Sequence, residues 1–154
     1  MNAKEFLEQV RYVDRAIDSK LEQVERLRNE STKATSLVSD MPRSSAPNLQ
    51  RLEDTIIKII DLEQEINRDI DRLVDLKKAA RVSINAMTNP EERLVLELRY
   101  LCYKTWLEIA EAMGVSESTV YRAHGLALAN FVVPTDPHGN NWKNTRYQEN
   151  DSLC

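Results

Sequence analysis

Residues 105–125 read TWLEIAEAMGVSESTVYRAHG, and this stretch decides the fold of the C-terminal part of the chain. Ala110 precedes Gly114 by one helical turn, and apolar residues stand at fixed offsets on either side. A small residue lets two helices approach closely, and glycine accepts the positive φ of a tight turn. The spacing therefore predicts a helix-turn-helix that reverses at Gly114. An ordinary helical hairpin is the alternative.

The core of this motif is predicted from residue type and offset. The small, apolar and turn positions are Ile109, Ala110, Met113, Gly114, Val115, Val120 and Ala123. The apolar members are expected to fill the angle between the two helices. Thr105 with Glu108 forms a capping-box pattern before the first helix, and Ser116 caps the second. Trp106 is expected to close the core against the preceding helix, and His124 to pack or to lie at the surface.

A helix-turn-helix inserts the N-terminal residues of its second helix into the major groove of DNA. The candidates for contacts with base edges are Glu117, Ser118, Thr119, Tyr121 and Arg122. Arginine can bind guanine through two hydrogen bonds, and glutamate can accept one from cytosine. Helix N-termini favour phosphate, and the candidates for phosphate contacts are Lys104, Thr105 and Ser116. Each of these side chains is equally consistent with an ordinary solvated surface.

The segment TNPEER, residues 88–93, predicts the start of the helix that precedes the motif. Asn89 suits the N-cap, Pro90 the first helical position and Glu92 the third, in a capping-box arrangement. This helix is expected to reach about Cys102. The helix capped by Ser116 is expected to reach about Phe131. Residues 88–131 are therefore predicted to form one helix-turn-helix domain.

Two long helices are predicted upstream of that domain. Apolar residues three and four positions apart indicate a first helix from Asn2 to about Thr32, and a second from Asn48 to about Met87. Residues 33–47 contain Ser, Pro and Ala and are predicted to be a connector. Residues 1–87 are thus expected to form a coiled-coil-like hairpin that serves as an assembly module. The candidates for self-association are Ile56, Ile59, Ile66, Ile70 and Leu73.

The remaining residues, 132–154, are polar and lack a period, so they are predicted to be a disordered tail. The fold class is all-α, with a long N-terminal helical hairpin followed by the helix-turn-helix domain.

The composition of the chain limits the partners that it can have. The 154 residues are 42% hydrophobic and 30% charged, with a net charge of −4. This composition is too charged for a membrane span and argues against non-specific coating of nucleic acid. No signal peptide precedes the first helix, so a cytoplasmic location is expected.

Catalytic and metal chemistry have no support in the residue pattern. His124 and His138 lack neighbours at metal-ligand spacing, and no glycine-rich phosphate loop is present. Cys102 is expected to be a buried thiol and Cys154 a tail thiol, without a disulfide between them. We therefore expect a protein that is not an enzyme, with no catalytic residue, metal or cofactor.

The stretch EERLVLELRYLCYKTWLEIAEAMGVSESTVYRAHGLAL, residues 91–128, resembles region four of bacterial sigma factors, which reads a promoter element. Together with MNAKEFLEQVRYVD, residues 1–14, and DLEQEINRDIDRLVDLKKAA, residues 61–80, it resembles a phage family similar to the ArpU- and RinA-type regulators of late transcription. That resemblance covers roughly residues 1–131 and implies a regulator of phage or prophage origin. The chain departs from the family in its recognition helix. Members of the family often have basic residues in this helix. Here those positions hold Glu117, Ser118 and Leu126, so Arg122 is the single cation in the sequence between Ser116 and Phe131.

These patterns lead to three hypotheses. The first is a sequence-specific DNA-binding transcription regulator whose coiled coil serves oligomerisation or contact with RNA polymerase. The second is a DNA-packaging adaptor similar to a phage terminase small subunit. The third is a protein-interaction module that no longer binds DNA, favoured by four Lys and Arg against six Glu in residues 90–131, a net charge of −2. The expected partners are double-stranded DNA, further copies of the chain in a homodimer or higher oligomer, and host RNA polymerase. The expected location is the host bacterial cytoplasm, and no membrane contact is expected.

Overall fold

A computed structural model describes residues 1–39, 45–137 and 142, and helices account for most of them. The α-helices are α1 (Ala3–Ser39), α2 (Ser45–Asn85), α3 (Pro90–Leu96), α4 (Trp106–Met113) and α5 (Glu117–Asn130). A π-helical segment, Glu97–Leu101, continues directly from α3. The described residues include no β-strand. The predicted all-α fold, with long N-terminal helices before a helix-turn-helix, is confirmed.

The connector between the two long helices is shorter than the sequence pattern predicts. Helix α1 continues past Thr32 to Ser39, and α2 begins at Ser45 instead of Asn48. Pro47 is tolerated because it lies in the first turn of α2, where its missing N–H group has no intrahelical partner to lose. Most of the predicted connector is therefore helical. Its residues 40–44 lie outside the described part of the chain.

Residues Tyr12–Val74 form one of two compact units and contain most of α1 and α2. The Lys20 ammonium lies 2.5 Å from Asp69 Oδ2 and 3.5 Å from Glu65 Oε2. Arg28 pairs with Glu63 farther along the same two helices. Later residues of α1 thus meet earlier residues of α2, so the helices run antiparallel as a hairpin. The buried apolar side chains of this unit are Val13, Ile17, Val24 and Ile66.

The five residues predicted for self-association divide between two faces of α2. Ile56 and Ile70 are exposed, with 44% and 42% of their surface accessible. Ile59 and Leu73 are half-buried, and Ile66 is buried at 5% exposure. Because Ile66 already lies within the hairpin core of its own chain, its predicted role in contacting a second chain is corrected.

The second compact unit contains Met1–Arg11 together with the chain from Asp75 onward. It therefore combines the ends of both long helices with α3, α4 and α5. Three side chains near the start of α1 are fully buried: Phe6, Leu7 and Val10. Three near the end of α2 are buried too: Leu76, Ala80 and Ile84. The boundary expected at residue 87 does not separate these elements, since the ends of α1 and α2 form part of the same core as the helix-turn-helix.

The segment after α5 folds back onto the start of the chain. Trp142 is 4% exposed, and its ring centroid lies 5.3 Å from that of Phe6. Phe6 also stacks on Phe131, with 6.0 Å between ring centroids. The Trp142 indole Nε1–H donates to the Pro134 carbonyl at 2.7 Å, which satisfies the polar end of a buried tryptophan. The prediction of a disordered tail over residues 132–154 is therefore wrong at Trp142, which is packed. Residues 138–141 and 143–154, including His138 and Cys154, lie outside the described chain.

Cys102, the C-cap residue of the π-helical segment, is a free and exposed thiol, which corrects the expectation of a buried one. None of the helices in the described ranges is long and apolar enough to cross a membrane.

We predict that Trp142→Ala lowers the free energy of unfolding by about 3 kcal/mol, the usual cost of removing a buried aromatic side chain. Chemical denaturation followed by circular dichroism measures this loss. Val132→Ala is the matched control, because Val132 is 74% exposed in the same segment and should change stability little. Equal stabilities for the two variants would contradict the packing of Trp142 against Phe6.

Candidate nucleic-acid interface

Helix α3 begins with a side-chain cap that also connects it to α5. The Asn89 Oδ1 atom accepts from the backbone N–H groups of Glu91 at 2.9 Å and Glu92 at 3.4 Å. The Glu92 carboxylate is buried and accepts from Asn130 Nδ2 at 3.0 and 3.2 Å. Glu92 therefore joins the start of α3 to the end of α5, instead of completing the capping box predicted at Asn89.

The π-helical segment shapes the chain between α3 and α4. The backbone N–H of Cys102 donates to the Glu97 carbonyl at 3.0 Å, and that of Lys104 donates to the Leu98 carbonyl at 2.9 Å. Tyr103 takes a φ of 57°, a left-handed conformation that ends the helix. The Arg99 guanidinium donates to the Lys104 carbonyl at 3.0 Å. A helix predicted to reach Cys102 is therefore regular only to Leu96, because the wider π turn and Tyr103 reverse the chain.

The turn between α4 and α5 has the predicted geometry. Thr105 Oγ1 accepts from the Glu108 N–H at 3.2 Å, and the Glu108 carboxylate accepts from the Thr105 N–H at 3.1 Å, completing the capping box. Gly114 adopts φ 66° and ψ 34°, in the left-handed region. The Val115 N–H then donates back to the Ala110 carbonyl at 3.1 Å. The prediction of a tight turn at Gly114 is confirmed.

The angle between α4 and α5 is filled by a small buried cluster. Ile109 and Val120 have no exposed surface, and Ala110 is 4% exposed. The cluster is completed by Leu98, Trp106 and Met113. Two of the residues predicted for this core depart from it: Ala123 is half-buried and Val115 is 36% exposed. Val115 is therefore not part of this core, whereas the predicted Met113 and Trp106 pack against the cluster together with Leu98.

The first two turns of α5 present most of the predicted base-reading side chains to solvent. Glu117, Ser118 and Arg122 are exposed, and Tyr121 is 50% exposed. Thr119 is half-buried, and its hydroxyl lies 2.9 Å from the Ser116 hydroxyl within the helix cap. The Thr119 side chain is therefore engaged in the cap of α5.

The predicted phosphate contacts lie at the starts of α4 and α5. Thr105 and Ser116 are exposed and cap these two helices, while Lys104 is half-buried beside Thr105. Helix N-termini carry unpaired N–H groups and a partial positive charge, so both starts can attract an anion. Tyr121 has less freedom, because its ring packs against Trp106 with centroids 5.0 Å apart.

A ladder of contacting aromatic and basic side chains connects the π-helical segment to α4 and α5: Arg99, Tyr100, Trp106 and His124. The Tyr100 hydroxyl lies 2.8 Å from His124 Nε2. The His124 ring meets Trp106 edge to face at 4.7 Å, and the Arg99 guanidinium lies 4.1 Å above the Trp106 ring. Trp106 thus packs against the preceding segment as predicted. The roles of Arg99 and Tyr100 were not predicted, because the spacing between Tyr100 and His124 follows no helical period.

Burial determines the charge states in this ladder. Burial, then Arg99 and Lys4, lowers the pKa of His124 from 6.5 to about 4. Burial, with the nearby Glu8, raises the pKa of Tyr100 to about 12. Both groups are therefore neutral near pH 7, and the Tyr100 hydroxyl can donate to an unprotonated His124 Nε2.

The described ranges contain no group of three or more His, Cys, Asp or Glu side chains that could hold a metal ion. Helix N-termini, an exposed arginine and short polar side chains are all groups that bind nucleic acid.

Comparison with known proteins relates this domain to one family model. Residues 89–130 match the family model described as Sigma-70, region 4. The match begins at the N-cap of α3 and ends at the last residue of α5, so it coincides with the helix-turn-helix and its supporting helix. No curated protein and no solved structure matches the chain. Residues 89–130 are thus a helix-turn-helix domain similar to sigma-70 region 4, which indicates a DNA-binding regulator.

Gly114 and Gly125 provide a matched pair of substitutions for testing the turn. A Cβ atom at either position would meet nothing within 4 Å, so only the backbone conformation distinguishes them. We predict that Gly114→Ala destabilises the protein by about 1 kcal/mol, because its φ is positive. Gly125→Ala, within α5, should stabilise it by about 1 kcal/mol. Chemical denaturation measures both, and two changes of the same sign would contradict the left-handed turn.

The lowered pKa of His124 makes stability depend on pH. Between about pH 6.5 and 4 the unfolded chain binds a proton at this residue and the folded chain does not, so stability falls as the pH drops through that window. We predict that His124→Gln flattens this part of the curve of melting temperature against pH. All other ionisable groups are the same in both proteins, so their contributions to the melting temperature cancel in the difference. Parallel curves for the two proteins would show that His124 is not held neutral.

Proposed function

We propose that this protein is a sequence-specific DNA-binding transcription regulator in which α5 is the recognition helix. In this proposal α5 enters the major groove by its N-terminal turns, while α4 lies across the phosphate backbone. The match of residues 89–130 to Sigma-70, region 4 supports the DNA-binding role. The chain acts by binding and not as an enzyme.

The single observation that supports this function best is the division of α5 into two faces. Val120 and Ala127 are fully buried, and they lie two helical turns apart on one face. Glu117, Ser118 and Arg122 are exposed on the early turns of the same helix. A helix anchored by one face, with polar groups at its free N-terminal end, has the form that major-groove recognition requires.

Within this surface we assign base reading chiefly to Arg122, which can bind guanine through two hydrogen bonds. Glu117 and Ser118 are the neighbouring base-reading candidates, and Glu117 would favour a cytosine amino group over a phosphate. Tyr121 reaches DNA only at the edge that its packing on Trp106 leaves exposed. Thr119 contributes through the cap of α5, and Lys104, Thr105 and Ser116 contact phosphates.

The charge of the domain implies that it does not act alone. Residues 90–131 contain four Lys and Arg against six Glu, a net charge of −2, so non-specific attraction to phosphate is weak. A second attachment would raise the effective concentration of the domain on its site. We propose that the long helices provide this attachment by self-association, by contact with RNA polymerase, or by both.

We also propose a phage or prophage origin and a place in the cytoplasm of the bacterial host. The support is the resemblance of residues 1–131 to ArpU- and RinA-type regulators, which extends over the long helices as well as the helix-turn-helix. A regulator of phage late transcription would meet its promoter and the host polymerase in that compartment.

A protein-interaction module is the second candidate, and the acidic balance of residues 90–131 favours it. In that case the exposed face of α5 would contact a basic protein surface. The two candidates differ in a direct measurement: a binding selection with random double-stranded DNA enriches a sequence motif only if the first is correct.

We predict that Arg122→Ala weakens binding to the selected site by about 1–3 kcal/mol and relaxes the preference at one base pair. Lys104→Ala should weaken binding to all sequences alike. It should also reduce the slope of log binding constant against log salt concentration by about one, because one phosphate contact is lost. Fluorescence anisotropy with specific and random duplexes at several salt concentrations measures both effects. If Arg122→Ala lowers the affinity for both duplexes equally, Arg122 does not read a base.

A further inference from the structure

Helix α2 has two apolar seams within residues Tyr12–Val74, and α1 covers one of them. The covered seam contains buried and half-buried residues: Ile59, Leu62, Ile66, Asp69 and Leu73. The other, which we name the outer seam, contains Ile56, Ile60, Glu63, Asn67, Ile70 and Val74. Its four apolar side chains are 42–59% exposed. A monomer therefore leaves a row of β-branched side chains in water along one face of α2.

The spacing of the outer seam is that of a coiled coil. Its residues alternate four and three positions apart, from Ile56 to Val74, which keeps them on one stripe when helices supercoil. Two polar residues, Glu63 and Asn67, interrupt the stripe at its centre. Polar residues at such positions lower the stability of a coiled coil but select its register and orientation.

We propose that the outer seam binds the outer seam of a second copy of this chain, with the two α2 helices antiparallel. This inference rests on the self-association in the proposed function and specifies its partner and geometry. In the register that pairs all six residues, Ile60 faces Ile70 of the second copy and Val74 faces its Ile56. Asn67 then faces Glu63, and two-fold symmetry repeats each pair.

The polar pair decides between the two orientations. In a parallel, in-register dimer, Glu63 would face Glu63 of the second copy, so two carboxylates would oppose each other next to the Ile60 layer. In the antiparallel dimer, the Asn67 amide can donate to the Glu63 carboxylate, and this contact occurs twice. Arg28 of the same chain already pairs with Glu63, which lowers the cost of placing that carboxylate at an interface.

The antiparallel register also determines where the two chains leave the paired segment. Val74 of each copy faces Ile56 of the other, so the two Val74 residues lie about 27 Å apart along the helix axis. The chains therefore continue toward their helix-turn-helix domains from opposite ends. A parallel dimer would instead bring the two continuations side by side.

Sedimentation of the full-length protein without DNA tests the association itself. The wild type is expected to be a dimer at micromolar concentrations, and Ile60→Asp with Ile70→Asp is expected to be a monomer of unchanged helix content. Leu21→Asp is the matched control, because Leu21 is an equally exposed apolar residue on α1 and should leave the dimer intact. A monomeric wild type, or a double variant that still dimerises, overturns the proposal.

Two substitutions at Asn67 test the orientation. In the antiparallel dimer Asn67→Lys faces Glu63 and should keep or strengthen association, whereas Asn67→Glu opposes Glu63 twice and should weaken it by about tenfold. In a parallel dimer each substitution would face its own copy, so both would weaken association. The loss of dimer in both variants therefore overturns the antiparallel pairing.

Cysteine cross-linking gives an independent test that does not depend on charge. With Cys102 and Cys154 replaced by serine, Ile60→Cys and Ile70→Cys are prepared separately, oxidised alone and then oxidised as a mixture. The antiparallel register predicts a disulfide dimer mainly in the mixture. Efficient dimers from each variant alone overturn it. No DNA is present in these experiments. A negative result therefore contradicts the proposed self-association and leaves the proposed DNA binding to its own test.

Discussion

The left-handed conformation of Gly114 is the constraint on which the candidate interface depends. It lets the chain reverse within a few residues, so that Ile109 and Ala110 of α4 meet Val120 of α5. Any side chain at this position would strain the backbone, although the space around it is open. The turn therefore sets the angle of α5, and that angle determines which of its side chains face solvent.

Packing from outside the motif then holds α5 in place. Tyr100 reaches His124 from the π-helical segment, and buried Glu92 reaches Asn130 at the other end of the helix. The ends of the long helices belong to the same compact unit, with Phe6 between Phe131 and Trp142. A helix supported at several points keeps its polar side chains in a fixed geometry, which the proposed sequence-specific binding would require.

The acidic balance of residues 90–131 is the reason that the proposed function joins DNA binding to assembly. A helix-turn-helix with more carboxylates than cations gains little from phosphate alone, so the proposed DNA binding would need additional contacts. The outer seam of α2 offers a surface for such contacts, because its β-branched residues remain exposed after the hairpin forms. In the proposed function, base readout belongs to residues 89–130 and assembly to Tyr12–Val74, so each can be tested without the other.

The sequence by itself determined the local features: the turn at Gly114, the caps at Asn89, Thr105 and Ser116, and the helical class. These depend on neighbouring residues, whose φ preferences and hydrogen bonds act over one or two turns. Only the tertiary structure decided which seam of α2 is buried, because two apolar stripes share one helix and periodicity alone does not rank them. The Tyr100–His124 bond spans 24 residues and the Phe6–Trp142 contact spans nearly the whole chain, so no local pattern indicates either.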